Sequence, residues 1–404
     1  MSNEVPVVEK ASPGRLFVPS LVLPAFAAFM SNGILILLLS DIALTFFGSS
    51  SPASVGIAGQ IGTVNSAAEA VFAALMGFLA VRFRHKPLFL VGVLLVAISA
   101  VGNFLAPTFI LMQVFFAVEG IGSVIVAITG LTLIGDILPS GKKAKAVSYA
   151  LSAVFFGGIV GAPIIGLVTG FGGWRCSFLL YALPVSVVCL VLAFFGIPSV
   201  SRKQQVAGRK ENYIGSFKQV LLNKSAVSCL VSQLLSVGQI VGLYAIAFFR
   251  GQFLVPISSA VYITIGSTSF MIVGSLVAGR IVNRFGRKRM TIVSSLLDGV
   301  FLIGVFLVPN LWAALAFNFV HVLFGAMAIS AFNCLALDQV PQSRGTMMSL
   351  TSVFGKIGNT IAAAVGGLVL VLFSSFQLLG LAFGTMTVAT AAILSFLTKD
   401  PVIV

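Results

Sequence analysis

Twelve long apolar stretches follow one another along the chain, at 16–47, 55–81, 87–106, 109–137, 145–170, 175–197, 225–249, 255–282, 289–308, 311–337, 346–373 and 376–397. A helix needs about 20 apolar residues to cross the hydrocarbon core of a bilayer, so each stretch predicts one membrane-spanning helix. The runs are continuous rather than alternating, which favours helices over the strands of a barrel. Inside lipid every backbone polar group must pair internally, and a helix does this within one segment. Short breaks separate the stretches: SSSP at 49–52, APT at 106–108, GFGG at 170–173 and VPN at 308–310, all turn-forming compositions. Trp174 and Trp312 fall at two turns on the same side, where interfacial aromatics are expected. The first stretch is too long for a signal-peptide core and is expected to be an uncleaved first span.

One longer polar segment, 198–224, divides the pattern in two. The expected organisation is a tail at 1–15, a six-helix bundle at 16–197, a linker at 198–224, a second six-helix bundle at 225–397 and a tail at 398–404. In the linker, Ile214, Phe217, Val220 and Leu221 have helical spacing. That fits a short helix lying on the membrane face, and a plain linker fits nearly as well.

Composition agrees with burial in lipid. Hydrophobic residues make up 58% of the chain and charged residues 8%, against about 25% charged in soluble domains. The net charge of +14 would suggest nucleic acid if the basic residues were spread over a surface. Instead they follow the spans. With the N-terminus placed in the cytoplasm, 21 of the 24 Lys and Arg residues fall at cytoplasmic ends, leaving Arg175, Arg250 and Lys356. Such asymmetry is what orients multi-pass proteins, so both termini are expected to be cytoplasmic and nucleic acid is not an expected partner. The four cysteines, Cys176, Cys189, Cys229 and Cys334, form no CxxC pair and read as small buried hydrophobes. No metal or cofactor is expected.

The two halves share a repeat. Gly77, Arg82, Phe83 and Lys86 recur as Gly279, Arg284, Phe285 and Lys288, each 202 residues later (279 − 77 = 202), and the DILP at 136–139 recurs as DQVP at 338–341. Repeated six-helix units are a transporter pattern, with the substrate site between the repeats near the midplane. The basic loop between the second and third spans of each unit anchors that loop inside. It can also pair with carboxylates and helix ends of its own bundle.

This loop resembles the signature of the major facilitator superfamily, a Gly-x-Leu-x-Asp-Arg-x-Gly-Arg-Arg/Lys pattern. The second copy keeps Gly286, Arg287 and Lys288, whereas Val81 and Asn283 stand in the place of the usual Asp and Arg84 in that of the loop Gly. The resemblance covers the whole chain. It implies an all-α membrane fold of twelve helices in two pseudo-symmetric bundles, working by alternating access. Span five carries a second resemblance. Its small residues suit close helix packing, and Pro163 permits a kink. Gly158, Pro163 and Gly166 also match the antiporter motif of drug:proton exporters, with Ala162 and Leu167 replacing two of its glycines. Gly173, Trp174 and Arg175 just after it resemble that group as well.

Ionisable groups inside a membrane cost a few kcal/mol or more, so each asks for a reason. Between Glu69 and Arg82 a helix rises about 20 Å, which puts Glu69 deep in span two. Glu119 lies in span four, where the family's proton-linked motif usually reads Arg-x-x-Gln-Gly; here Phe116 takes the place of the Arg and Glu119 that of the Gln, before Gly120. His321 lies 202 residues beyond Glu119 (321 − 119 = 202). The repeat therefore puts the two at equivalent positions on spans four and ten, which the resemblance places along the central cavity. A facing carboxylate and imidazole would share a proton, and imidazole titrates in the physiological range. Glu69, Glu119 and His321 are the proton-coupling candidates, each weighed against an ordinary packing role. Lys356 in span eleven either neutralises a carboxylate or attracts an anionic substrate. Asp298 in span nine is expected to have a structural partner such as a polar group of span eight, and Asp41 to sit at the outer rim.

No Walker loop, HExxH or GxSxG is present, so neither ATP-driven transport nor an enzyme is expected. An ion gradient remains as the energy source. One charge moved through 100 mV yields about 2.3 kcal/mol, roughly fiftyfold in concentration. The leading expectation is a monomeric, proton-coupled exporter of small, partly apolar compounds, in which a proton neutralises Glu119 or Glu69. The alternative is an organic-anion exchanger or proton symporter built on Lys356. A non-transporting sensor would need a partner surface that the linker alone does not offer.

Overall fold

The structure is a computed structural model that describes residues 14–138, 140–198, 213–235 and 237–400. The expected N-terminal tail lies almost wholly outside the described residues, as does more than half of the linker. Among the described residues there is no strand. Ten helices among them are long and apolar enough to cross a membrane, and there are two shorter apolar helices, Phe156–Gly172 and Ile240–Gln252.

Span one is Phe17–Phe47, span two Pro52–Arg82, span three His85–Leu105, span four Phe109–Ile137 and span five Ser140–Gly172. Span six runs from Trp174 to Gly196 and contains one π-helical turn at Phe178–Ala182. In the second half, span eight is Ile257–Phe285, span nine Arg287–Leu307, span ten Leu311–Gln339, span eleven Arg344–Phe373 and span twelve Phe376–Leu397. Span seven differs from its sequence expectation of one helix at 225–249. It is two helices, Lys224–Leu234 and Gly238–Gln252. A helix at Tyr213–Leu222 precedes it, as the linker spacing suggested. Its Val220 is fully buried, while Phe217 and Leu221 stay exposed.

Local chemistry ends these helices where the pattern breaks. Ser51 caps span two through Ser54 N, with Pro52 at the first turn, where its missing N–H costs nothing. Thr108, Asn310 and Ser375 cap spans four, ten and twelve in the same way, each satisfying N–H groups that the helix cannot. The turn from span eight into span nine needs Gly286, whose φ is +86°, a region open to glycine without cost.

Each half packs on itself first, spans two, three and four together and spans eight, nine and ten together. The halves then meet along spans two and eleven, five and eight, and one and seven. Small residues make these crossings close. A Cβ on Gly56 would lie 2.7 Å from Gly367 O, one on Gly158 2.7 Å from Thr268 Oγ1, and one on Gly166 2.7 Å from Val261 Cγ2. The span-five residues Gly158 and Gly166 thus pack against span eight of the other half, and Ala162 between them is buried. The helix continues through Pro163. Gly56, Gly367, Gly166 and Val261 lie toward the end of the bundle opposite the basic loops, called the far end below.

Candidate functional site

The membrane-embedded ionisable residues sort into four groups. At mid-depth Lys356 Nζ of span eleven donates to Glu69 Oε2 of span two at 2.7 Å. This pair joins the two halves. Of the two expectations for Lys356, neutralising a carboxylate thereby gains a concrete partner, Glu69. The other oxygen of Glu69 accepts from Ser123 Oγ of span four at 3.1 Å.

Glu119 lies beside this pair and is fully buried. Asn65 of span two donates through Nδ2 to Glu119 Oε2 and also to Phe116 O at 2.8 Å. Glu119 Oε1 has no hydrogen-bond partner among the described residues. Gly120 lets span two come close enough for these contacts, since a Cβ there would lie 2.6 Å from Asn65 O and 3.2 Å from Glu69 Cγ. A Glu adjoining a Gly is therefore what brings two carboxylates, one amide and one hydroxyl into a single cluster. Asn65 and Ser123 were not singled out from sequence. Neutral polar residues are ordinary in helices, and only spacing relative to span four would have pointed to them.

His321 does not face Glu119. Its Nδ1 meets Asp298 Oδ1 of span nine, a charge contact rather than an aligned hydrogen bond. The expected proton-sharing between Glu119 and His321 is corrected accordingly: no hydrogen bond or ion pair joins them. The partner of Asp298 is corrected too, from span eight to span ten. The reason is packing within the second half. A Cβ on Gly325, one turn beyond His321, would lie 3.2 Å from Asp298 Oδ1, so spans nine and ten approach closely there. Span eight satisfies a different group, with Asn318 Nδ2 donating to Ser267 Oγ at 2.9 Å.

At the far end Arg250 of span seven grips Asp41 of span one with both guanidinium nitrogens, Nη2 to Oδ1 at 3.0 Å, and donates to Leu37 O at 3.0 Å. Asp41 is thus a second bridge between the halves rather than a simple rim group. Bidentate Arg–carboxylate geometry is the stronger form of such a pair. Trp174 is also not the interfacial anchor that its position in a turn suggested. It is buried, donates from Nε1 to Thr45 Oγ1 at 2.8 Å, and carries Arg175 over its ring at 4.5 Å. Trp312 is 77% exposed and fits the interfacial role.

The basic loops repeat as contacts. His85 Nδ1 lies 2.7 Å from Asp136 Oδ2, and Arg287 pairs with Asp338. Both steps are the same 202-residue offset (287 − 85 and 338 − 136). Arg344 Nη2 adds to Asp338 at 3.7 Å. Lys86 Nζ donates to Phe194 O at 2.8 Å and Lys288 Nζ to Ser395 O at 2.9 Å, each reaching the last turn of the sixth span of its half. Gly77 and Gly279 have nothing within 4 Å of a built Cβ, and Phe83 and Phe285 are exposed. Arg82 and Arg284 lie over Phe78 and Phe285. The residues that hold the loop are therefore His85, Arg287, Lys86 and Lys288, and the histidine is the one that residue identity concealed.

Among the described residues no group of His, Cys, Asp or Glu side chains could hold a metal ion. What the arrangement can do is hold two bundles together through charge pairs at two depths, with one carboxyl oxygen beside the deeper pair free to carry a proton.

Comparison with known proteins agrees with this architecture. Over 296 residues the chain is 22% identical to multidrug resistance protein 2 of Bacillus subtilis, covering 71% of this chain and 73% of that one. It is 23% identical over 275 residues to the cis,cis-muconate transport protein of Acinetobacter baylyi, covering 65% and 66%. A crystal structure of a D-xylose–proton symporter superposes with a TM-score of 0.77 at 17% identity, covering 96% of this chain and 99% of that one. The profile of the Major Facilitator Superfamily matches residues 21–272 and again 252–403. The repeated basic loop, the paired bundles and these matches agree: the chain is a multi-pass membrane transporter and belongs to the Major Facilitator Superfamily.

Proposed function

We propose that this transporter is a proton-coupled exporter of small, partly apolar molecules, with Glu119 as the proton-carrying group. The observation that carries the reading is the environment of Glu119: fully buried, hydrogen-bonded by Asn65 on one oxygen, unpartnered on the other, and beside the pair that joins the bundles. A carboxyl in that place changes charge without breaking an ion pair of its own. The change falls next to Glu69–Lys356, whose two members belong to opposite halves and separate when the halves rock. The basic end faces the cytoplasm, both termini lie there, and the protein acts as a monomer with its bundles at 16–197 and 225–397. A proton taken from outside neutralises Glu119, and its release inside resets the site. The multidrug relative supports export of apolar compounds, as does the packing of the span-five stretch between the halves.

A second reading, organic-anion exchange or symport, is favoured by Lys356 at mid-depth and by the muconate transporter among the relatives. One experiment separates the two. Purified protein is placed in liposomes with a pH-sensitive dye and an imposed pH gradient, and lipophilic cations, neutral drugs and small organic anions are added separately. Proton movement with cations or neutral drugs, lost in Glu119→Gln, supports export. A response confined to anions, lost in Lys356→Ala, replaces it with the second reading.

A further inference from the structure

The two members of the mid-depth pair are not equally covered. The Glu69 side chain keeps 8% of its surface open and the Lys356 side chain 24%. Glu69 is engaged on both oxygens, by Ser123 and by Lys356. An ammonium has three donors, and the contact with Glu69 uses one. Lys356 is thus the charge a ligand between the bundles would reach, and Glu69 is the charge that cancels it. At about 3 Å a carboxylate removes most of the field an incoming anion would feel. Arg250, the other cation described near the interface, is already engaged by Asp41 and Leu37 O, and His321 lies against Asp298. The remaining ionisable group of the cluster is Glu119, whose charge is either zero or negative. Summed over Glu69, Lys356 and Glu119, the site is neutral or anionic while Glu69 is ionised, and turns cationic when Glu69 is neutral and Glu119 holds its proton.

We propose that Glu69 sets the charge selectivity of the transport site by masking Lys356. While masked, the site takes cationic and neutral ligands. With Glu69 neutral, Lys356 anchors the carboxylate of an organic anion. This deepens the proposed transport reading and rests on ligands binding between the bundles at this level.

The test is equilibrium binding to the full chain in nanodiscs at pH 6, with tetraphenylphosphonium and benzoate as probes. Four proteins are compared: the natural chain, Glu69→Gln, the Glu69→Gln/Lys356→Gln double variant and the Glu69→Lys/Lys356→Glu swap. Glu69→Gln preserves the size of the side chain and the contact with Ser123. The natural chain is expected to prefer tetraphenylphosphonium by about tenfold or more, and Glu69→Gln to gain about tenfold in benzoate affinity. The double variant loses that gain. The swap restores the pair and the original preference, and so reports that the fold tolerates charge changes at both places. An unchanged preference in Glu69→Gln overturns the proposal, as does a benzoate gain that survives loss of Lys356, or absence of binding by all four. Proton flux in liposomes is a separate readout. Reversed selectivity without flux leaves the mask standing and removes proton-coupled export; flux with unaltered selectivity does the opposite.

Discussion

Glu119 and His321 occupy the same place in the two halves, 202 residues apart, and the halves use that place in opposite ways. In the second half His321 is answered from within by Asp298 of span nine. The first half has Val96 at the position equivalent to Asp298 (298 − 202 = 96), buried and apolar. Among the described residues Glu119 consequently pairs with no cation of its own bundle, only with the amide of Asn65. The neighbouring Glu69 likewise finds its cation in the other half, at Lys356. One bundle answers its mid-depth carboxylate from within and the other does so from across the interface. The repeat preserves where helices lie, while the allocation of charge differs between the halves.

The largest effect is expected from removing the carboxyl that has no cation of its own. Glu119→Gln should lower proton-coupled flux by roughly a hundredfold, with unchanged elution and helix content. Dye-loaded liposomes measure it, and retained flux would show that the asymmetry is not what couples transport. Next, Lys356→Ala leaves Glu69 buried without its cation and should destabilise the protein by about 3 kcal/mol. Thermal unfolding in detergent checks this, and the Glu69→Gln/Lys356→Gln double variant should recover most of the loss. Third, His321→Gln should cost about 1–3 kcal/mol, because Asp298 loses its partner, while the pH profile of transport stays as in the natural chain. A displaced profile would place the second half in the coupling path and break the comparison. The smallest effect belongs to His85→Arg, which copies the Arg287–Asp338 pair into the first half. Asp136 is 28% exposed and the His85 side chain 3%; exchanging one hydrogen-bonding partner of the carboxylate for another should change stability by about 1 kcal/mol, so the unfolding temperature should move by no more than a few degrees.

The far-end bridge marks how much of this was readable from sequence. Asp41 and Arg250 each stood out as charges near span ends, yet their sequence separation hid their pairing. The same holds for Glu69 and Lys356. In both cases each group's depth is readable along the chain, because a helix rises by a fixed amount per residue. The sequence could not give the partner, because partners meet through the docking of one half on the other. The histidine of the first basic loop was passed over for a different reason. His85 does not look like Arg287, and only the shared contact to Asp136 or Asp338 shows that they are equivalent.

The sequence by itself determined the membrane class, the run of apolar helices, the side on which basic residues gather, the 202-residue repeat and the short set of buried ionisable residues. These follow from one-dimensional quantities: the length of apolar runs against the thickness of a bilayer, and the cost of placing a charge within it. Only the tertiary structure decided which charge answers which, that span seven is two helices, Lys224–Leu234 and Gly238–Gln252, that Trp174 is buried, and that Glu119 retains an oxygen unpartnered among the described residues. Desolvation makes a buried charge need a partner. Which partner it finds depends on the few ångströms of approach allowed by residues such as Gly120 and Gly325, and that distance exists only once the helices have packed.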